Sequence, residues 1–70
     1  MDKIYINPPH IKLEQFLKLC SAVGSGGEAK VLIQGGEVAV NGEVCLMRGK
    51  KLFGGEIITT DNQEYEVAVR

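Results

Sequence analysis

Apolar residues fall along the chain in two rhythms, and the change between them predicts the elements. Ile4 and Ile6 alternate with Lys3 and Tyr5, the period of a strand with one covered face. Asn7-Pro8-Pro9 ends it, and because proline cannot donate to a sheet ladder this reads as a short edge strand. From Leu13 the spacing becomes helical: Leu13, Phe16, Leu17 and Cys20 fall on one face, with Lys12, Glu14, Gln15 and Lys18 elsewhere. This predicts a first helix running to about Val23-Gly24.

Ser25-Gly26-Gly27-Glu28 has the form of a capping box, in which the Ser25 hydroxyl accepts from the Glu28 N–H and the Glu28 carboxylate reaches back. A second helix is expected here, with Ala29, Leu32 and Ile33 inward and Gly35-Gly36 at its end. It spans barely two turns and needs the first helix to stabilise it. Strands follow. Glu37–Val40 and Glu43–Met47 flank Asn41-Gly42, the strongest short hairpin signal, since a type I′ turn needs two residues tolerant of positive φ. The basic run Arg48 to Lys51 is read as a loop, Gly54-Gly55 as a turn, Glu56–Thr60 as a strand, Asp61-Asn62 as a turn and Tyr65–Val69 as the last strand. In that last strand Tyr65, Val67 and Val69 share one face and Glu64, Glu66, Ala68 and Arg70 the other. The fold class expected is α+β: two short packed helices against a small, mostly antiparallel sheet of about four to five strands.

At 70 residues the chain reads as one domain, 1–70, which buries only about 60% of its unfolded surface. Its 44% apolar and 24% charged residues suit an ordinary globular protein. No apolar run approaches the roughly 20 residues of a membrane span, and Met1-Asp2-Lys3 opens no signal-peptide pattern, so a cytoplasmic location is expected. Two cysteines, Cys20 and Cys45, cannot make a four-ligand zinc site, and they are read as reduced packing residues, with one disulfide the alternative. No metal, organic cofactor or small-molecule substrate is implied.

Net charge is −1, but unevenly placed. Lys12 to Lys51 carries +2 and Leu52 to Arg70 carries −3, the mark of two differently charged faces. Local potential, and not net charge, steers an anionic partner.

Catalytic and nucleotide motifs fail on context. Gly24-Ser25-Gly26-Gly27-Glu28-Ala29 formally matches a dinucleotide fingerprint, but no strand leads into it. Lys30 lacks the neighbours of a phosphate-binding P-loop. His10 is the sole histidine, with no nucleophile at a recognisable spacing, and the carboxylates are scattered singly. The chain is read as a non-enzyme. Tyr5 and Tyr65 lack the paired spacing of a stacking platform.

What remains is an ordered combination: the Leu13, Phe16, Leu17 helix, then Ser25-x-x-x-Ala29-Lys30, Ile33-x-x-Gly36, Val38-x-Val40-Asn41-Gly42 and Gly55-Glu56-x-Ile58. It resembles the S-four RNA-binding domain, shared by a ribosomal small-subunit protein, pseudouridine synthases, some tRNA synthetases and a heat-shock ribosome factor. The likeness covers about 50 residues (core 12–60) and is strongest to small stand-alone bacterial members, in which Gly26-Gly27-Glu28-Ala29-Lys30 and Arg48-Gly49-Lys50-Lys51-Leu52 have counterparts. The wider family carries Arg after the Ser that opens the second helix, where this chain has Gly26, so one phosphate contact is missing.

The resemblance implies an S-four-like, or alpha-L, fold and non-catalytic binding of structured RNA, ribosomal or transfer, free or on ribosomal particles, by a monomer. The residues expected to carry it are Lys18, Ser25, Gly26, Gly27, Lys30, Arg48, Lys50 and Lys51. A helix N-terminus with exposed glycine N–H groups attracts phosphate, although Glu28 occupies part of that field. Arg48, Lys50 and Lys51 put three positive charges within four positions, enough to meet one stretch of backbone; a loop kept soluble by charge is the plain alternative. Lys18 and Lys30 read equally well as solvent-face lysines, and Asn41 as hairpin chemistry. The rival function is a protein-interaction adapter whose acidic tail face meets a basic protein.

Overall fold

In the computed structural model, which describes residues 1–70, nine elements follow one another: β1 (Asp2–Ile6), β2 (Ile11–Lys12), α1 (Leu13–Leu19), α2 (Gly26–Gln34), β3 (Val38–Val40), β4 (Glu43–Val44), β5 (Lys51–Leu52), β6 (Ile57–Thr60) and β7 (Gln63–Val69). Five strands form one sheet in the order β1-β7-β6-β3-β4, and β2 and β5 form a separate two-stranded ribbon. Only β1 with β7 is parallel within the large sheet, and β1 is an edge strand, as expected, ending before Pro8-Pro9.

The helices are too short to hold alone, at seven and nine residues, so their order comes from packing. Leu13, Phe16 and Leu17 of α1 and Ala29 and Ile33 of α2 are fully buried, and meet Ile6, Val38, Leu52, Ile58 and Val67 from five strands in one core. The strand period shows in β7, where Val67 is buried, Tyr65 packs against the core and Val69 lies exposed at the end.

The first helix stops at Leu19, four residues short of the Val23 its pattern suggested. Ser21 turns to φ 64°, its N–H donates to the Lys18 carbonyl, and Ala22 donates to Leu17, which closes the helix by a Schellman turn. Val23 then buries as part of the turn and not of the helix. The second helix ends the same way, with Gly36 at φ 79° donating to Ile33 and Glu37 donating to Leu32.

Asn41 (φ 52°) and Gly42 (φ 85°) make the expected hairpin turn, as Asp61 and Asn62 do between β6 and β7. The return strand is shorter than the expected Glu43–Met47, however. It ends at Val44, and the chain leaves the sheet to run across the start of α1, where the Lys50 carbonyl accepts from Leu13 N–H (2.8 Å) and the Arg48 carbonyl from Glu14 N–H (3.1 Å). Lys12 at the N-cap offers no side-chain acceptor, so this segment satisfies donors that would otherwise be orphaned. The stretch read as a loop also ends in a strand: Lys51 and Leu52 form β5 and pair with Lys12 and Ile11.

Candidate functional site

The basic segment is held by its backbone and free at its side chains. Its carbonyls are bound to α1, while Arg48, Lys50 and Lys51 are all exposed. Arg48 approaches Glu14 at 3.9 Å, a loose surface pair that leaves most of its charge available. Lys51 lies directly opposite Lys12 in the ribbon, so a cation that the sequence pattern puts on the polar side of the first helix joins the cluster. No sequence signal links two positions so far apart.

Lys50 and Lys51 border a groove of about 960 Å³ whose apolar wall is Val44, Leu46, Met47 and Phe53. Those four side chains are 57–62% exposed, a concentration of apolar surface on one side of a small protein. Two carboxylates also line it, Glu43 and Glu56. Glu56 is committed: its oxygens accept from the N–H groups of Phe53 (2.8 Å) and Gly54 (2.7 Å). Partial burial pushes its carboxyl up, but these two donors, its own backbone N–H and the charge of Lys50 outweigh that and hold it below its ordinary value. Gly54 permits this turn at φ 133°, and a Cβ there would stand 2.8 Å from the Val69 side chain. Asn41 also lines the groove, and its Oδ1 accepts from Ile57 N–H at 2.9 Å while its own N–H donates to the Ile57 carbonyl.

The start of α2 is a separate place. Ser25 Oγ accepts from Glu28 N–H at 3.3 Å, and no return bond forms from the Glu28 carboxylate, so half of the capping box is present. Gly26 and Gly27 are exposed; a Cβ added at Gly26 would meet open space, and one at Gly27 would lie 3.8 Å from Ser25 Oγ. The hollow next to Gly27 is lined by Glu28, Glu37 and Asp61, and three carboxylates oppose an anion. Lys18 and Lys30 project from α1 and α2, exposed and without ion pairs, and line neither hollow.

Both thiols are free and half-buried. Burial pushes the Cys20 thiol up against the hydrogen bonds that lower it, which disfavours the thiolate. No group of three or more His, Cys, Asp or Glu side chains is placed to hold a metal ion, and no helix is long and apolar enough to cross a membrane.

The sequence profile of the S4 domain matches residues 4–68, nearly the whole chain. The protein belongs to the S4 domain family. A Bacillus subtilis (strain 168) protein named "Probable ribosome maturation protein RlbA" is 44% identical over 57 residues, 81% of this chain and 80% of RlbA. The solution structure of YbcJ from E. coli, described as carrying an alphaL motif involved in RNA binding, superposes with a TM-score of 0.75 and 29% identity, covering 97% of this chain and 87% of YbcJ. Two helices against a mostly antiparallel sheet are thus the S4 arrangement here as in YbcJ.

Proposed function

We propose that this S4 protein is a non-catalytic, cytoplasmic RNA-binding monomer that recognises structured RNA, ribosomal before transfer RNA, during ribosome maturation. Arg48, Lys50 and Lys51 make the main phosphate contacts, joined by Lys18, Lys30 and the backbone N–H groups after Ser25. The observation that carries this reading is the basic segment itself, its carbonyls anchored on α1 and its cations exposed on an S4 framework. An anchored loop loses little freedom on binding, so its charges meet a phosphate backbone at low entropic cost. The names of RlbA and YbcJ support the same direction, ribosome maturation and RNA binding. The carboxylates beside Gly27 make the start of α2 the weaker part of the surface.

Filter binding of total cellular RNA across a salt series tests this. Neutralising about three to four phosphates gives a slope of log affinity against log salt of roughly −2 to −4, and Lys50→Glu with Lys51→Glu abolishes most of the binding. Affinity indifferent to salt, or to that double change, overturns the reading. The hollow of Glu28, Glu37 and Asp61, with Val31 71% exposed beside it, favours a second role as an adapter for a basic protein. Binding to a polycation that the double charge reversal leaves intact would then replace RNA binding.

A further inference from the structure

The two-stranded ribbon carries more than a lysine. Ile11 faces Leu52 and Lys12 faces Lys51, and the same antiparallel register carried one step outward sets His10 opposite Phe53. Their rings do meet, with centroids 5.8 Å apart and planes inclined at 55°. Alternation along a strand then sorts the three pairs. Leu52 is fully buried and Ile11 packs against the core, so His10 with Phe53 and Lys12 with Lys51 share the outer face, about 6.6 Å apart along the strand.

We propose that this outer face binds one unpaired RNA base, stacked on Phe53 with His10 behind it, while Lys12 and Lys51 take an adjoining phosphate. The inference rests on the RNA-binding reading above and narrows the RNA to one that presents an unstacked nucleotide. Phe53 is 57% exposed on a backbone that is held in place, because the two oxygens of Glu56 accept from the N–H groups of Phe53 and Gly54. An exposed aromatic on an immobilised turn is organised in advance for stacking. Two lysines directly opposite each other repel in the free protein, and an anion between them relieves that repulsion. An apolar ring one strand repeat from a paired cation matches the two ends of a nucleotide, base and phosphate. A continuous duplex would engage only the cations, since its bases are stacked inside and its grooves are read by shape.

Two RNA hairpins with the same paired stem, one uninterrupted and one carrying a single inserted, bulged adenosine, test the platform. Wild-type protein should bind the bulged hairpin roughly 5- to 150-fold more tightly, the range of one base–aromatic stack. Phe53→Leu should bind both alike. The Phe53 ring protons should move upfield on adding the bulged hairpin, while those of Phe16, the only other phenylalanine and fully buried, should not. Equal wild-type affinity for the two hairpins, still lost in the Lys50→Glu, Lys51→Glu variant, overturns the platform and leaves the RNA reading standing. A preference that survives Phe53→Leu also overturns it. If neither hairpin is bound in a way the charge reversal weakens, the RNA reading itself falls and the platform with it.

Discussion

Lys12 and Lys51 are cross-strand partners, two exposed cations set against each other in a ladder only two residues long. Like charges in that position destabilise a ribbon, and Lys12 is also the N-cap of α1, a place where lysine supplies no acceptor. A residue chosen for stability would not be lysine. Lys12→Ser should therefore stabilise the fold by about 1 kcal/mol, through relief of repulsion and a new cap, which for a domain of this size raises the thermal midpoint by about 4–8 °C. The same change should weaken RNA binding and flatten the salt slope by roughly 0.7–0.9, the loss of one phosphate contact. A more stable variant with an unaltered slope would place Lys12 outside the interface.

The Glu56 carboxylate couples the shape of the Phe53–Gly54 turn to pH. Its folded-state titration lies below its ordinary value, so the stabilisation is fully present above the unfolded carboxylate value near 4.5 and disappears as pH falls through the lower folded one. Glu56→Gln removes the charge and replaces one of the two accepting oxygens by an NH₂ group that cannot accept, and should cost about 1–2 kcal/mol at pH 7. Urea unfolding at pH 7, 5 and 3 should show that gap hold at pH 5 and shrink at pH 3. A gap independent of pH would mean that the ionised form is not what holds the turn.

Legibility in the sequence followed the range over which each signal acts. Ser25, Gly36 and Asn41-Gly42 are local devices, each set by the backbone conformation of a few adjacent residues, and each stands where the pattern puts it. The end of α1 differs from the pattern because the residue that turns left-handed is Ser21, an L-residue with a side chain, and not Gly24 nearby. The ribbon is not legible in the sequence because two-residue strands carry no period, and the partners Lys12 and Lys51 are far apart in the chain. For the same reason Arg48, Lys50 and Lys51 could be singled out by adjacency, whereas Lys12, His10 and Phe53 join them only through register.

Ser21 offers a direct check on the helix end. Its φ of 64° costs an L-residue about 1–2 kcal/mol, and its exposed side chain makes no hydrogen bond in return. Ser21→Gly removes that strain but adds freedom to the unfolded chain, worth about 0.4–1 kcal/mol in the opposite sense. The net expectation is a stabilisation of about 0.5 kcal/mol, with Ser21→Val, branched at Cβ, clearly destabilising. Urea midpoints for the two variants decide it; a destabilised glycine variant would show that the Schellman turn needs more than a permissive φ.

Asn41 holds the hairpin to the first residue of β6 by exchanging two hydrogen bonds with Ile57, one from its backbone and one at its side chain. Its left-handed backbone and its Oδ1 acceptor are separable demands, and three substitutions separate them. Asp keeps both and should lie within about 0.5 kcal/mol of wild type, because Asp tolerates positive φ and its carboxylate accepts from the same N–H. Gly keeps the φ and loses the acceptor, at a cost of about 1 kcal/mol. Ala loses both, and the two penalties together should reach about 2 kcal/mol. The order Asp, Gly, Ala in urea stability therefore reports a structural role at this turn. If Asp proved as damaging as Ala, the side-chain bond to Ile57 would not be what fixes the hairpin, and the Asn41 amide would have to act through its NH₂ group instead.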